Sequence, residues 1–406
     1  MNNQINILRD ANIRVESINS TISQTQRKLI MDDLHCGHPK TKLLYVTPEF
    51  CAMDHFRRVL KTVHAQKELA RIAIDEAHCI SEWGHDFRPS FQGLRWFREE
   101  MPGVPIFCCT ATATKAVRED VITTLGLQER NMLVFEMTTS RPNLHYEVRY
   151  KNDEMDHYTD FLGWYRKVIA RRQASQRSTQ LTQRGDRVDN VSGIIYTLYR
   201  RDCEALAEQL ARDGVGAKPY HAGLTTAQKD EYLDGWVTNR AGYDIIVATT
   251  AFGMGIDKTD VRFVVHWQIP KSFEGFYQEA GRAGRDGKAS ACIMYYSRED
   301  RQRAVNTLEM EFQKKSRSVA RGARDAVEHI AVRAASLKRL VEFCEDVGRC
   351  RHQLICDYFG EKKRPVCDYA CDWHKDAEGL GKMKRKNLIS DEEASTQGGA
   401  YPVDDG

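Results

Sequence analysis

Ile72-Ala73-Ile74-Asp75-Glu76-Ala77-His78 is an apolar run that ends in two acids. Its length and β-branched content predict a short buried strand. A carboxylate at the carboxyl end of a parallel strand faces the crevice where ligands bind. Taken alone, the acids are equally a capping pair in a strand-to-helix turn. The surroundings decide. Leu43-Leu44-Tyr45-Val46 and Ile106-Phe107-Cys108-Cys109 read as further buried strands, with helix-like segments between. A second set of runs follows at Gly193-Ile194-Ile195-Tyr196, Tyr243 to Ala248, Phe263 to Trp267 and Ala291 to Tyr296, with a helix over 201–210. Strands alternating with helices predict parallel α/β layers, here two of them.

The bulk numbers fit that reading. At 406 residues the chain is long enough for two or three domains. Lys+Arg 60 against Asp+Glu 57 leaves +3, so net charge announces no nucleic-acid partner, though a local basic groove is compatible with it. No run approaches the ~20 apolar residues of a membrane span. The start, Met1-Asn2-Asn3-Gln4, lacks a basic-then-apolar leader pattern, so the 12 cysteines are expected to be reduced. From 299 to 359 the pattern is helical. Residues 171–190 are polar and aperiodic and are expected to form a disordered insertion. The polar stretch after Lys375 is expected to be an unfolded tail.

A second signature is Gln278-Glu279-Ala280-Gly281-Arg282-Ala283-Gly284-Arg285-Asp286-Gly287, with two arginines three residues apart. Guanidinium groups meet phosphate oxygens bidentately as charge develops. The alternative is a solvated basic face, against which stand Gly281 and Gly284, which let the backbone pack closely.

With these blocks in register, the chain resembles RecQ-type DNA helicases of superfamily 2. The likeness rests on Asp75-Glu76-Ala77-His78 running into Cys79-Ile80-Ser81-Glu82-Trp83-Gly84-His85-Asp86-Phe87-Arg88-Pro89. It continues through Leu43 to Glu49, Thr110 to Thr114, His221 to Leu224, Ala248 to Asp257 and Tyr277 to Gly287. Among branches it looks nearest the Bloom-type group. The resemblance covers about residues 1–375. It implies two RecA-like parallel-sheet α/β domains, at 1–140 and 141–298, then a small helical zinc-binding domain at 299–375 and a tail at 376–406. It implies ATP, Mg²⁺ and Zn²⁺ as cofactors, and single-stranded and forked DNA as partner, with no membrane. A nuclear setting follows, or the nucleoid and cytoplasm of a prokaryote.

Roles follow at matching positions. Asp75 and Glu76 would serve Mg²⁺ and the attacking water, and His78 would couple nucleotide to DNA. Thr110 and Thr112 would link hydrolysis to domain movement. Gly255 and Asp257 would lie near the nucleotide. Gln278, Arg282 and Arg285 would reach it, Arg285 as the arginine finger. Trp83, His85, Phe87, Arg88 and Phe91 would form a loop that senses unpaired DNA. Aromatics beside a cation suit base stacking and phosphate contact, while a packed loop is the alternative.

Cys350, Cys367, Cys371 and His374 form the late cluster. The last three are spaced close to tetrahedral zinc ligands, and a Cys₃His set is a good structural site. His374 stands where the family carries a fourth cysteine, and a surface histidine is its alternative. Cys344 and Cys356 are competing ligands, with Cys356 expected in the core.

The phosphate-cradling Gly-x₄-Gly-Lys-Ser/Thr loop is absent from these residues. The expectation is a chain that starts inside the first α/β domain, with strand edges and apolar surface exposed. Two functions are then expected: an ATP-dependent 3′-to-5′ DNA helicase whose piece here is inactive alone, or a non-catalytic DNA-binding scaffold.

Overall fold

The computed structural model describes residues 2–19, 22–81, 84, 86–128, 132–151, 156–183, 187–253, 256–316, 323–367 and 371–388. The chain divides into two compact units. The first is Met1–Met137 with Met254–Asp257, and the second is Thr138–Gly253 with Lys258–Gly406.

The first unit runs α1 (Asn2–Asp10), β1 (Val15–Ile18), α2 (Gln24–His35), β2 (Leu43–Val46), α3 (Pro48–Cys51), α4 (Asp54–Ala65) and β3 (Ile72–Ile74). A 3₁₀ turn (Ala77–Ile80), α5 (Pro89–Gln92), α6 (Arg95–Glu100), β4 (Ile106–Cys108) and α7 (Lys115–Thr124) complete it. Its strands form two separate parallel pairs, β1 with β2 and β3 with β4. Phe56, Val59 and Val63 from α4 pack with Ile72, Ile74, Ile80 and Leu125 in one core. The other side is less covered. On β4, Phe107 is 53% exposed, and Leu133, Phe135 and Met137 are exposed beyond α7.

The second unit holds β5 (Leu144–Tyr150), α8 (His157–Gln173), α9 (Arg177–Gln183), β6 (Gly193–Tyr196), α10 (Arg200–Arg212), β7 (Ala217–Tyr220) and α11 (Thr226–Val237). Then come β8 (Ile245–Ala248), β9 (Phe263–His266), α12 (Phe273–Ala280), β10 (Ser290–Tyr296), α13 (Arg298–Ser316), α14 (Ala323–Glu345), α15 (Arg351–Phe359) and α16 (Asp372–Asn387). Its six strands make one parallel sheet in the order β5-β10-β9-β6-β8-β7. Of the inner strands, β6, β8 and β9 are buried at every position and β10 at all but Ala291, as expected where helices cover both faces. The edge strand β7 carries Pro219, which only an edge tolerates well.

The other edge, β5, alternates buried and half-buried residues. Two of its outward backbone groups are covered. Asp372 accepts from the Val148 amide at 3.0 Å, and His352 Nε2 meets the Leu144 carbonyl at 3.0 Å. Asp372 also takes the fully buried Arg351 at 2.8 Å. The late cysteine segment is thereby fastened to the sheet and shares its compact unit.

Two expectations are corrected. Residues 171–183 are not disordered: α8 extends to Gln173 and α9 spans Arg177–Gln183. Gln and Arg are good helix formers, and the segment needs no apolar stripe where it continues an anchored helix. Arg187 then pairs with Asp189 and with Asp244, the latter at 2.8 Å. Nor does structure end at Lys375: α16 reaches Asn387, burying Leu380 and setting Lys384 Nζ on the Glu345 carbonyl at 2.5 Å. Residues 389–406 lie outside the described residues.

Candidate nucleotide, DNA and metal sites

β3 delivers Asp75 to an exposed position and Glu76 to a half-buried one. Glu76 has φ 50°, ψ 44°, left-handed backbone that a non-glycine residue adopts at a cost. The conformation is held from both sides. The Glu76 amide donates to Asp75 Oδ1 at 2.9 Å, and the Ala77 amide donates to the Cys109 carbonyl at 3.0 Å. Cys109 Sγ also reaches Asp75 Oδ1 at 3.3 Å. Burial, then that hydrogen bond, push the Cys109 thiol up to about 12. The sharp turn sets two carboxylates side by side at one strand end, residue types suited to a hard cation and a water.

His78 is buried, and its Nδ1 lies 2.9 Å from Thr110 Oγ1 and 3.3 Å from a Glu76 carboxylate oxygen. Thr110 Oγ1 in turn accepts from the Thr112 amide at 3.2 Å. The acids, His78, Thr110 and Thr112 are therefore linked through hydrogen bonds and close contacts. Thr112 is buried, and its Oγ1 has no hydrogen-bond partner among the described residues.

The loop after His78 folds back. The Gly84 amide donates to the Ser81 carbonyl at 2.9 Å, and a side chain at Gly84 would lie 2.4 Å from the His78 carbonyl oxygen. The Arg88 amide donates to the Cys79 carbonyl at 3.0 Å. Arg88 is 39% exposed at its side chain and pairs with Asp86 at 2.7 Å. Phe87 is half-buried. Phe91 departs from the loop reading: it is 8% exposed and belongs to the core. The tail of the motif is already the start of α5, where an aromatic packs inward. Trp83 and His85 lie outside the described residues, as does Gly255, while Asp257 is exposed.

In the second unit α12 begins at Ser272, whose hydroxyl accepts from the Gly275 amide at 3.0 Å. It carries a half-buried Gln278, followed by a buried Arg282 and an exposed Arg285. Gly284 sits at φ +56°, and a Cβ there would meet Asn143 Nδ2 at 2.5 Å and the Lys288 carbonyl at 2.8 Å. Arg141 and Asn143 clamp this turn. Arg141 donates to the Gly281, Ala283 and Gly284 carbonyls at 3.3, 3.1 and 2.9 Å, and Asn143 donates to Gly284 at 2.9 Å. These two clamps escaped the sequence reading. The only signal was a polar Arg-Pro-Asn ahead of an alternating strand. Glu279 adds a link to β9, with His266 Nε2 at 3.0 Å from its carboxylate.

Cys350, Cys367, Cys371 and His374 converge, with all four donor atoms within 4.8 Å of one another. Cys350 and Cys371 cap α15 and α16. Their sulfurs are 3.8 Å apart, and His374 Nδ1 lies 3.3 Å from Cys371 Sγ. Hydrogen bonds from Cys350, then from the Arg351 and His374 backbone, push the Cys371 thiol down toward the thiolate a metal takes. The donor set and spacing fit tetrahedral Zn²⁺. The competitors fall away. Cys344 is fully buried, Cys356 is buried beside the Thr139 hydroxyl, and neither joins the cluster.

Comparison with known proteins fits this layout. A DEAD/DEAH box helicase model matches residues 1–120, the helicase conserved C-terminal domain matches 174–287, and a RecQ zinc-binding model matches 298–375. The fold resembles the helicase MrfA bound to DNA, with TM-score 0.54 and 16% identity over 75% of this chain and 42% of that one. It also resembles *Mycobacterium smegmatis* helicase Lhr bound to ssDNA and AMP-PNP, with TM-score 0.50 and 17% identity over 83% and 46%. Two α/β layers with these motifs and a zinc segment define a superfamily 2 helicase core.

Among curated proteins, rat ATP-dependent DNA helicase Q5 is 38% identical over 97% of this chain and 38% of its own length. *Schizosaccharomyces pombe* ATP-dependent DNA helicase hus2/rqh1 is 40% identical over 92% and 26%. *Xenopus laevis* RecQ-like DNA helicase BLM is 38% identical over 80% and 21%. The chain belongs to the RecQ helicase family. Equal identity to Q5 and BLM does not single out the Bloom-type branch. The chain spans about a third of the length of the curated relatives it matches.

Proposed function

We propose that these residues are the motor and zinc segment of an ATP-dependent 3′-to-5′ DNA helicase. It tracks along single-stranded DNA and opens forked duplex during repair and recombination in the nucleus. The strained Glu76 beside Asp75, with His78 bonded to Thr110, carries the reading. Asp75 and Glu76 hold Mg²⁺ and orient the attacking water. His78, Thr110 and Thr112 pass the state of that site to the Phe87–Arg88 loop. Gln278 and Arg282 of the second unit serve nucleotide binding, and Arg285, presented on a clamped turn, meets the phosphate charge. Zinc on Cys350, Cys367, Cys371 and His374 fixes the helices that close the β5 edge. Contacts go to phosphates and stacked bases, so binding is salt-sensitive and weakly sequence-specific.

The 406 residues contain no phosphate-cradling loop. They are therefore expected to hydrolyse no ATP at an appreciable rate by themselves, with or without single-stranded DNA. The longest reading frame that contains them is expected to show DNA-stimulated hydrolysis and unwinding, both abolished by Glu76→Gln. A longer frame that binds DNA without hydrolysis would instead make the protein a non-catalytic scaffold.

A further inference from the structure

Beside the Cys₃His cluster, one other group of three metal-type donors converges among the described residues: His78, Cys79 and Asp86. We propose that His78 Nε2, Cys79 Sγ and an Asp86 carboxylate oxygen form a second binding site for a borderline-soft divalent cation such as Zn²⁺. Cys79 Sγ lies 3.7 Å from His78 Nε2 and 3.8 Å from Asp86 Oδ2, and all three donors fall within 4.8 Å of one another. Ligands about 2.0–2.3 Å from a tetrahedral ion are separated by little less than this, so small side-chain movements close the site.

The surroundings are those of a metal ligand. Metal-bound histidines characteristically donate their second ring N–H to an oxygen that fixes the tautomer. His78 has that partner ready: Nδ1 faces Thr110 Oγ1 at 2.9 Å and a Glu76 carboxylate at 3.3 Å, while Nε2 faces the Cys79 thiol. The backbone sets the third donor in place. Gly84 permits the turn over the His78 carbonyl, and the Arg88 amide on the Cys79 carbonyl brings Asp86 over the sulfur. His78 and Cys79 are buried and Asp86 is not, so the ion enters from the Asp86 side. On binding, the Cys79 thiol gives up its proton to solvent. Three protein donors leave a fourth position for water.

Arg88 is the competitor. Its Nη2 holds Asp86 Oδ2 at 2.7 Å, and a bound cation takes that oxygen from it. The ion thus pins His78 and Asp86 together and releases the Arg88 guanidinium. The alternative is a hydrogen-bonded loop that never holds metal.

Zinc content after equilibrium dialysis over a series of free zinc concentrations decides between them. The wild-type 406-residue chain is expected to bind two zinc ions, one tightly and one more weakly. Cys79→Ser and Asp86→Asn are each expected to hold one ion across the series. Asp86 is exposed, so Asp86→Asn keeps the test valid where Cys79→Ser disturbs the core. Cobalt substitution adds a second readout: filling the weaker site adds one thiolate-to-metal charge-transfer band, absent from Cys79→Ser. One ion in the wild type at every concentration, or a second ion undiminished in both variants, overturns the proposal.

Discussion

The two units are built from the same strand-and-helix grammar, yet they differ in how their sheets are closed. In the second unit six strands run unbroken, β6, β8 and β9 are fully buried, and the β5 edge is capped by Asp372 and His352 from the zinc segment. In the first, four strands stand as two pairs, and Phe107 of β4 is half-exposed. Each presents its chemistry accordingly. Arg285 rides on a turn held by four side-chain hydrogen bonds from Arg141 and Asn143. Glu76 sits in strained backbone held by a local amide bond and by the strand beside it. A site on a closed sheet is positioned by packing, whereas a site on an open sheet depends on its own turn.

Removing zinc should break the comparison most strongly. Metal binding is folding free energy in such segments, on the order of 10 kcal/mol in zinc-finger peptides. Chelation, or Cys371→Ser, is expected to release the Val148 amide and the rest of the β5 edge to hydrogen exchange. The β1 and β2 amides of the first unit should keep their protection. Equal loss in both units would show that the zinc segment does not belong to one sheet alone.

Two phenylalanines sharpen the contrast. Phe263 on β9 is fully buried, so Phe263→Ala should cost about 3–5 kcal/mol in denaturant unfolding. Phe107→Ala, at a half-exposed position, should stay within about 0.5 kcal/mol. Similar costs would mean that the two sheets are equally closed.

A smaller effect lies in pH. Burial against Trp267, at 4.6 Å between rings, holds His157 below its usual range, at about 4 rather than 6.5. Folded protein therefore takes up the proton less readily than unfolded chain. Its contribution to second-unit stability is complete above pH 6.5 and declines as pH falls from there toward 4. In urea melts His157→Gln should flatten that decline; an unchanged slope would assign it to other groups.

The inner architecture was legible in sequence wherever burial left an apolar run. β6 and β9 fall where Gly193 to Tyr196 and Phe263 onward placed them, whereas the apolar Leu43-Leu44-Tyr45-Val46 forms β2 but is not buried. The edges were not: Leu144–Tyr150 alternates, Ala217–Tyr220 contains a proline, and Val15–Ile18 carries Glu16 and Ser17. A strand covered on one side has no continuous apolar signal. The polar helix α16 was hidden for a related reason, since tertiary anchors at Leu380 and Lys384 replace an apolar stripe, and α9 is a short polar helix that follows α8. Motif residues were legible because their chemistry is local, while the clamps Arg141 and Asn143 act over a long sequence separation and carry no pattern.

The central claim is that the clamped turn of the second unit supplies the charge that hydrolysis needs. Its direct test is the steady-state ATPase rate with saturating single-stranded DNA, measured in the longest reading frame for wild type and Arg285→Ala. A rate about 10³–10⁵ lower at unchanged DNA affinity is predicted. Hydrolysis at the wild-type rate in Arg285→Ala would contradict it.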